Sequence, residues 1–205
     1  MANAVDKEQI DMLKKWWDDY GRVITLAIAV GLLIGFGWKY WHQRKVQNKQ
    51  TASIEYTQLQ VAAIKHDNKL TLALAKRIKE AYKDTTYASF AALFAAQADV
   101  NEKKYEAALT ELKWAMSTSK VAAVREVARL RAARVLLAEK KPDAALLLLK
   151  TVDEASYQPM NDLIKGEIYM AKGDKGKARS FFTSAKAEFQ KAGVTNPFIN
   201  ILLTQ

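Results

Sequence analysis

Residues 163–185 read LIKGEIYMAKGDKGKARSFFTSA. Gly166 and Tyr169 recur at helical spacing, Gly173-Asp174 breaks the pattern, and Ala178, Phe182 and Ala185 resume it at steps of four and three. Two helices that cross closely need a residue with almost no side chain at the crossing, and a large apolar residue beside it to fill the space left over. The stretch is therefore a helix, a tight turn and a second helix folded back on the first.

Working outward, the same arrangement recurs. Ala133, Ala145, Leu149 and Val152 repeat it around the turn Lys140-Lys141-Pro142-Asp143, and Ala96, Ala108, Leu112 and Ala115 repeat it once more. Pro142 suits the first turn of a helix, where its missing N–H costs nothing. No Gly or Pro falls between Trp38 and Lys141, so helices with short polar turns are expected there, not hairpins. These spacings resemble the tetratricopeptide repeat. Residues 51–83 read as a further helix pair with a poor repeat pattern, hence as a cap or spacer. Asn196-Pro197 is expected to start a last apolar helix, Phe198 to Leu203, covering the third repeat.

At the other end, residues 23–38 read VITLAIAVGLLIGFGW, sixteen residues without a charge. A bilayer core needs roughly 20, and Arg22 and Lys39 can extend the run by snorkelling. Trp16, Trp17 and Tyr20 lie before it and Trp38, Tyr40 and Trp41 after it, as at two membrane–water interfaces. A transmembrane helix is expected over 23–41. A cleaved signal peptide fits worse, because residues 1–22 carry five acids and bulky Trp38 follows the small residues Gly35 and Gly37. Gly31 and Gly35 have the spacing that lets a second membrane helix approach; no dimer at all is the alternative. The whole is expected to be all-α: a segment 1–22, the transmembrane helix 23–41, a helical stalk or linker 42–58 and a tetratricopeptide-like repeat domain 59–205. A flexible break near Asn48 is the alternative to a stalk.

Composition narrows the function. The chain has no cysteine and two isolated histidines, His42 and His66, which leaves no metal set and no thiol nucleophile. No catalytic motif and no Gly-rich phosphate loop is present, so neither an enzyme nor a cofactor is expected. The net charge of +10 invites nucleic acid. However, its densest part is the acid-free block Lys39, Arg44, Lys45 and Lys49 beside the apolar run, where lipid headgroups are the better partner. Lys/Arg counts tie at four on either side of the run, so charge alone does not orient the span.

Several segments carry a wider resemblance: Glu8-Gln9-Ile10 with Leu13-Lys14-Lys15-Trp16-Trp17, Gly37-Trp38-Lys39-Tyr40-Trp41, Ala52-Ser53 with Tyr56, Tyr87-Ala88, and Arg131-Ala132-Ala133-Arg134-Val135. In this order and spacing, over nearly the whole chain, they resemble the ancillary SecYEG translocon subunit family of Gram-negative bacteria, of the YfgM type. The resemblance implies an inner-membrane anchor with a cytoplasmic N-terminus and a periplasmic repeat domain. It implies partners in the SecYEG translocon and a membrane-anchored periplasmic chaperone of the PpiD type, and a role in handing on newly translocated proteins. The acid-free block departs from what the charge rule prefers for that orientation. An envelope assembly or trafficking adaptor acting apart from the translocon is the alternative function.

In a tetratricopeptide-like stack the first helix of each pair lines the concave face. That register places Phe90, Leu93 and Gln97 there from the first repeat, Val127, Leu130 and Arg134 from the second, and Met160, Leu163, Glu167 and Met170 from the third. Apolar residues with a polar one per repeat suit a bound peptide. The alternative is that several are repeat core, or lie under the C-terminal helix.

Overall fold

The computed structural model describes residues 2–195 and 197–204, apart from the side chains of residues 2–9, 11, 13, 24 and 27–29. Described residues form helices joined by short turns, with no strand among them. In chain order they are α1 (Ala2–Ile64), α2 (Asn68–Ala81), α3 (Thr86–Asn101), α4 (Tyr105–Thr118), α5 (Ala122–Ala138), α6 (Pro142–Leu148), α7 (Gln158–Ala171), α8 (Lys175–Lys191) and α9 (Pro197–Leu203), with a short 3-10 turn at Ala155–Tyr157 before α7. Asn196, expected to open the last helix, lies outside the described residues. The chain divides into two units, Met1–Asn48 and Lys49–Gln205.

The larger unit is a stack of four helix pairs built around one repeated turn. Each turn is made by a residue in the left-handed region: His66 (φ 55°), Lys103 (φ 60°), Lys140 (φ 60°) and Gly173 (φ 81°). The amide after each reaches back five residues: Asp67 N–H to Ala62 at 3.0 Å, Lys104 to Asp99 at 2.8 Å, Lys141 to Leu136 at 2.8 Å and Asp174 to Tyr169 at 3.0 Å. This bond satisfies a helix-end carbonyl that would otherwise lack a partner. The next helix then starts at once. Two of the turns add a side-chain cap, Asp67 accepting the Leu70 N–H at 2.9 Å and Asp174 the Lys177 N–H at 3.0 Å. That bond, with the nearby Lys177 ammonium, holds the Asp174 carboxyl below the ordinary carboxylate range.

The turns register the core. Four residues after each capping position comes the crossing residue of the second helix: Thr71, Ala108, Ala145 and Ala178, all buried. A second set joins the two helices of each pair: Ala96 with Leu112, Ala133 with Leu149 at the C-cap of α6, and Gly166 with Phe182, small on the first side and large on the second. The last of these is tightest. A methyl on Gly166 would lie 2.3 Å from Phe182 Cε1. In the leading pair the order is reversed, with Leu59 on α1 and Ala75 on α2, both fully buried. The summed volume is kept while the sequence pattern is inverted. Residues 51–83, read as a cap or spacer, are thus the first pair of the stack. Residues 51–58, expected as stalk or linker, bring Ala52 and Glu55 into buried positions.

The expectation for Val152 needs correction. It is half-buried and lies beyond α6, which stops at Leu148. The cause is an ionic clamp from α5. Glu126, 1% exposed, accepts the Asp153 N–H at 2.7 Å and pairs with Arg129 at 2.8 Å. Arg129 also donates to the Thr151 carbonyl at 2.9 Å and pairs with Asp153 at 3.0 Å. The Thr151 carbonyl and the Asp153 N–H find partners on α5, so α6 is not extended.

In the smaller unit, Val23, Leu26, Leu33, Ile34 and Phe36 on α1 are all exposed. Trp16 pairs with Tyr20 and Trp38 with Trp41. Among the described residues no helix is long and apolar enough to cross a membrane; Ile24, Ala27, Ile28 and Ala29, within the expected span, have side chains outside the description. A methyl added to Gly31 or Gly35 would meet no described atom within 4 Å.

Candidate protein-binding face

The repeat spacing arranges the first helices of the pairs in rows. Positions 93, 130 and 163 form one row: Leu93, Leu130 and Leu163, 5–7% exposed, are packed into the core between helices. Positions 90, 127 and 160 form the next: Phe90, Val127 and Met160 are half-buried, each leaning on a core cluster with one edge toward solvent. The third row is polar: Gln97 and Arg134 are exposed, and Glu167 and, in the leading pair, Gln60 are half-buried.

Within that row the structure brings Arg134 and Glu167 together across α5 and α7. The guanidinium donates from Nε at 3.1 Å and from Nη2 at 3.0 Å to the two carboxylate oxygens, a fork geometry. The Met160 sulfur lies 4.0 Å from Arg134 Nη2. Gln97 donates to Asn101 at 3.1 Å. Met170 is half-buried in a cluster with Leu163 and with Ile199, Leu202 and Leu203 of α9, so the C-terminal helix shields that part of the third repeat.

The sequence reading missed a cleft on this face. Ala63, Ile64, His66, Asn68, Phe94, Gln97 and Asn101 line an open cleft of about 490 Å³ at the turn between α1 and α2 and beside α3. Behind it, Tyr56 packs against Tyr87, Phe90 and Phe94 with ring centroids 5.4–5.9 Å apart. Burial first, then the neighbouring Tyr87, raises the Tyr56 phenol above its ordinary value, so it stays neutral and acts as a packing group. The signal was present, since Tyr56 and Leu93 share a register 37 residues apart. It is hidden because the small and large residues of the first pair, Leu59 and Ala75, stand in the reverse order to those of the others.

These features agree with a family match. A tetratricopeptide repeat-like domain model matches residues 14–205. The chain is 30% identical over 187 residues to the ancillary SecYEG translocon subunit of Haemophilus influenzae, covering 91% of each. The chain belongs to the ancillary SecYEG translocon subunit family. It is also 32% identical over 190 residues to the subunit of Aggregatibacter actinomycetemcomitans, 91% of each chain. With that of Escherichia coli K12 the identity is 28% over 175 residues, 85% of this chain and 84% of the relative. No solved structure matches.

The ancillary SecYEG translocon subunit family is one of tetratricopeptide-like proteins, not of enzymes. What this member offers chemically is therefore a surface. Among its described residues no cluster of three or more metal-ligating side chains occurs. On that surface the polar row Gln97, Arg134 and Glu167 runs beside the half-buried apolar residues Phe90, Val127 and Met160.

Proposed function

We propose that this protein is a membrane-anchored, protein-binding scaffold at the SecYEG translocon. Its α1 segment 23–41 spans the inner membrane, its N-terminus is cytoplasmic, and its repeat domain is periplasmic. There it links the channel to a membrane-anchored chaperone of the PpiD type that receives newly translocated proteins. The observation that carries the binding role is the polar row Gln97, Arg134 and Glu167, exposed at its first two positions, beside the half-buried Phe90, Val127 and Met160. The charge-free run 23–38, with its exposed apolar side chains and flanking aromatic pairs, supports the anchor. The family relationship supports the location.

A membrane-impermeant amine crosslinker added to spheroplasts tests this reading. Lysines of residues 49–205 should become joined to translocon and chaperone subunits without opening the inner membrane. Adducts that form only after the membrane is permeabilised would place the domain in the cytoplasm and overturn the proposed topology.

A further inference from the structure

The basic residues that follow the apolar run have no carboxylate on their own segment. No acid occurs between Asp19 and Glu55. On a helix, side chains lean toward the N-terminus, which for residues just after a span means back toward the bilayer. The structure shows this lean. The Arg44 guanidinium lies over the Tyr40 ring, 5.3 Å from its centroid, and the Lys45 ammonium over the Trp41 ring at 4.8 Å. Both are pairs four residues apart. With Trp38, whose ring is 6.0 Å from that of Trp41, they fall on one side of α1, within about 160° of its circumference at 3.6 residues per turn. The aromatic faces hold the two cations at the level of the interfacial rings and leave the guanidinium edge open to fork a phosphate.

We infer that Trp38, Tyr40, Trp41, Arg44 and Lys45 form a girdle for anionic phospholipid headgroups in the leaflet at the C-terminal end of the span. The inference rests on the transmembrane reading above. It also accounts for a basic block on the side where the charge rule does not favour one: the cations are matched by lipid in that leaflet. The preceding flank differs, because Asp18 and Asp19 offset its Lys14, Lys15 and Arg22. Anionic selectivity therefore belongs to one end of the span.

The test uses the full chain reconstituted in phosphatidylcholine vesicles, with tryptophan fluorescence as readout. Acyl-brominated phosphatidylcholine or acyl-brominated phosphatidylglycerol is included at equal mole fraction. Both lipids should quench. The anionic one should associate more tightly, by on the order of fivefold for each favourable cation. That excess should vanish in the double variant Arg44→Gln/Lys45→Gln and in high salt, while quenching by phosphatidylcholine persists. Equal quenching by the two lipids in the unaltered protein would overturn the girdle and leave the span standing. An undiminished excess in the double variant would also overturn it. Quenching by neither lipid would overturn the transmembrane reading itself.

Discussion

Phe182→Ala should lower the stability of fragment 49–205 by about 3–5 kcal/mol, the cost of emptying a fully buried aromatic site. The more specific expectation concerns its partner. Gly166→Ala alone should destabilise by about 1–3 kcal/mol, because the added methyl meets the Phe182 ring and the ring has nowhere to go. In the Phe182→Ala background the same change should stabilise by about 1 kcal/mol, since the space is open and alanine is the better helix former. Denaturant unfolding of the four proteins gives the coupling directly. If Gly166→Ala costs the same in both backgrounds, the helices are not held by this glycine–ring fit.

The second large effect is expected at the clamp that ends α6. Arg129→Ala leaves Glu126 1% exposed and without its cation. Breaking a buried pair from one side costs about 3–5 kcal/mol, well beyond the value of a surface pair. Arg129→Lys should recover only part of it. A single ammonium cannot reach Glu126, Asp153 and the Thr151 carbonyl together as the fork does. A loss under about 1 kcal/mol for Arg129→Ala, read by thermal unfolding, would mean that the loop 151–153 holds its place without the clamp.

The residues that made the repeats legible were those where small and large follow one order. Ala108, Ala145 and Ala178 announce the crossings, and Gly166 with Phe182 marks the tightest pair. The leading pair was illegible because Leu59 and Ala75 exchange those roles and Thr71 stands where alanine is expected. Volume is conserved across the pair, and a pattern read one position at a time does not register a conserved sum. Val152 failed for a different reason. Its helix is ended by a tertiary ion pair from α5, and nothing local to residues 149–152 signals it. On the proposed binding face, periodicity groups Gln97, Arg134 and Glu167 in one row, as the structure does. It did not separate Leu93, Leu130 and Leu163, which are buried, from the half-buried Phe90, Val127 and Met160 three residues before them. Both rows are apolar, and depth on a helix face depends on what packs there. The cleft at Ile64 and Phe94 needed the first pair in register before its walls could be assigned to one place.

The face formed by the first helices of the pairs is the one proposed to bind protein at the translocon. Gln97, exposed on α3 at the edge of the cleft, is the position from which to test it. A photoreactive amino acid placed there in the full-length protein in native membranes should yield adducts with translocon or chaperone subunits on illumination. The same residue at Lys113, exposed on α4 among the second helices, should yield few. Adducts from Lys113 with none from Gln97 would put the binding surface on the other side of the stack and rule out the face formed by the first helices.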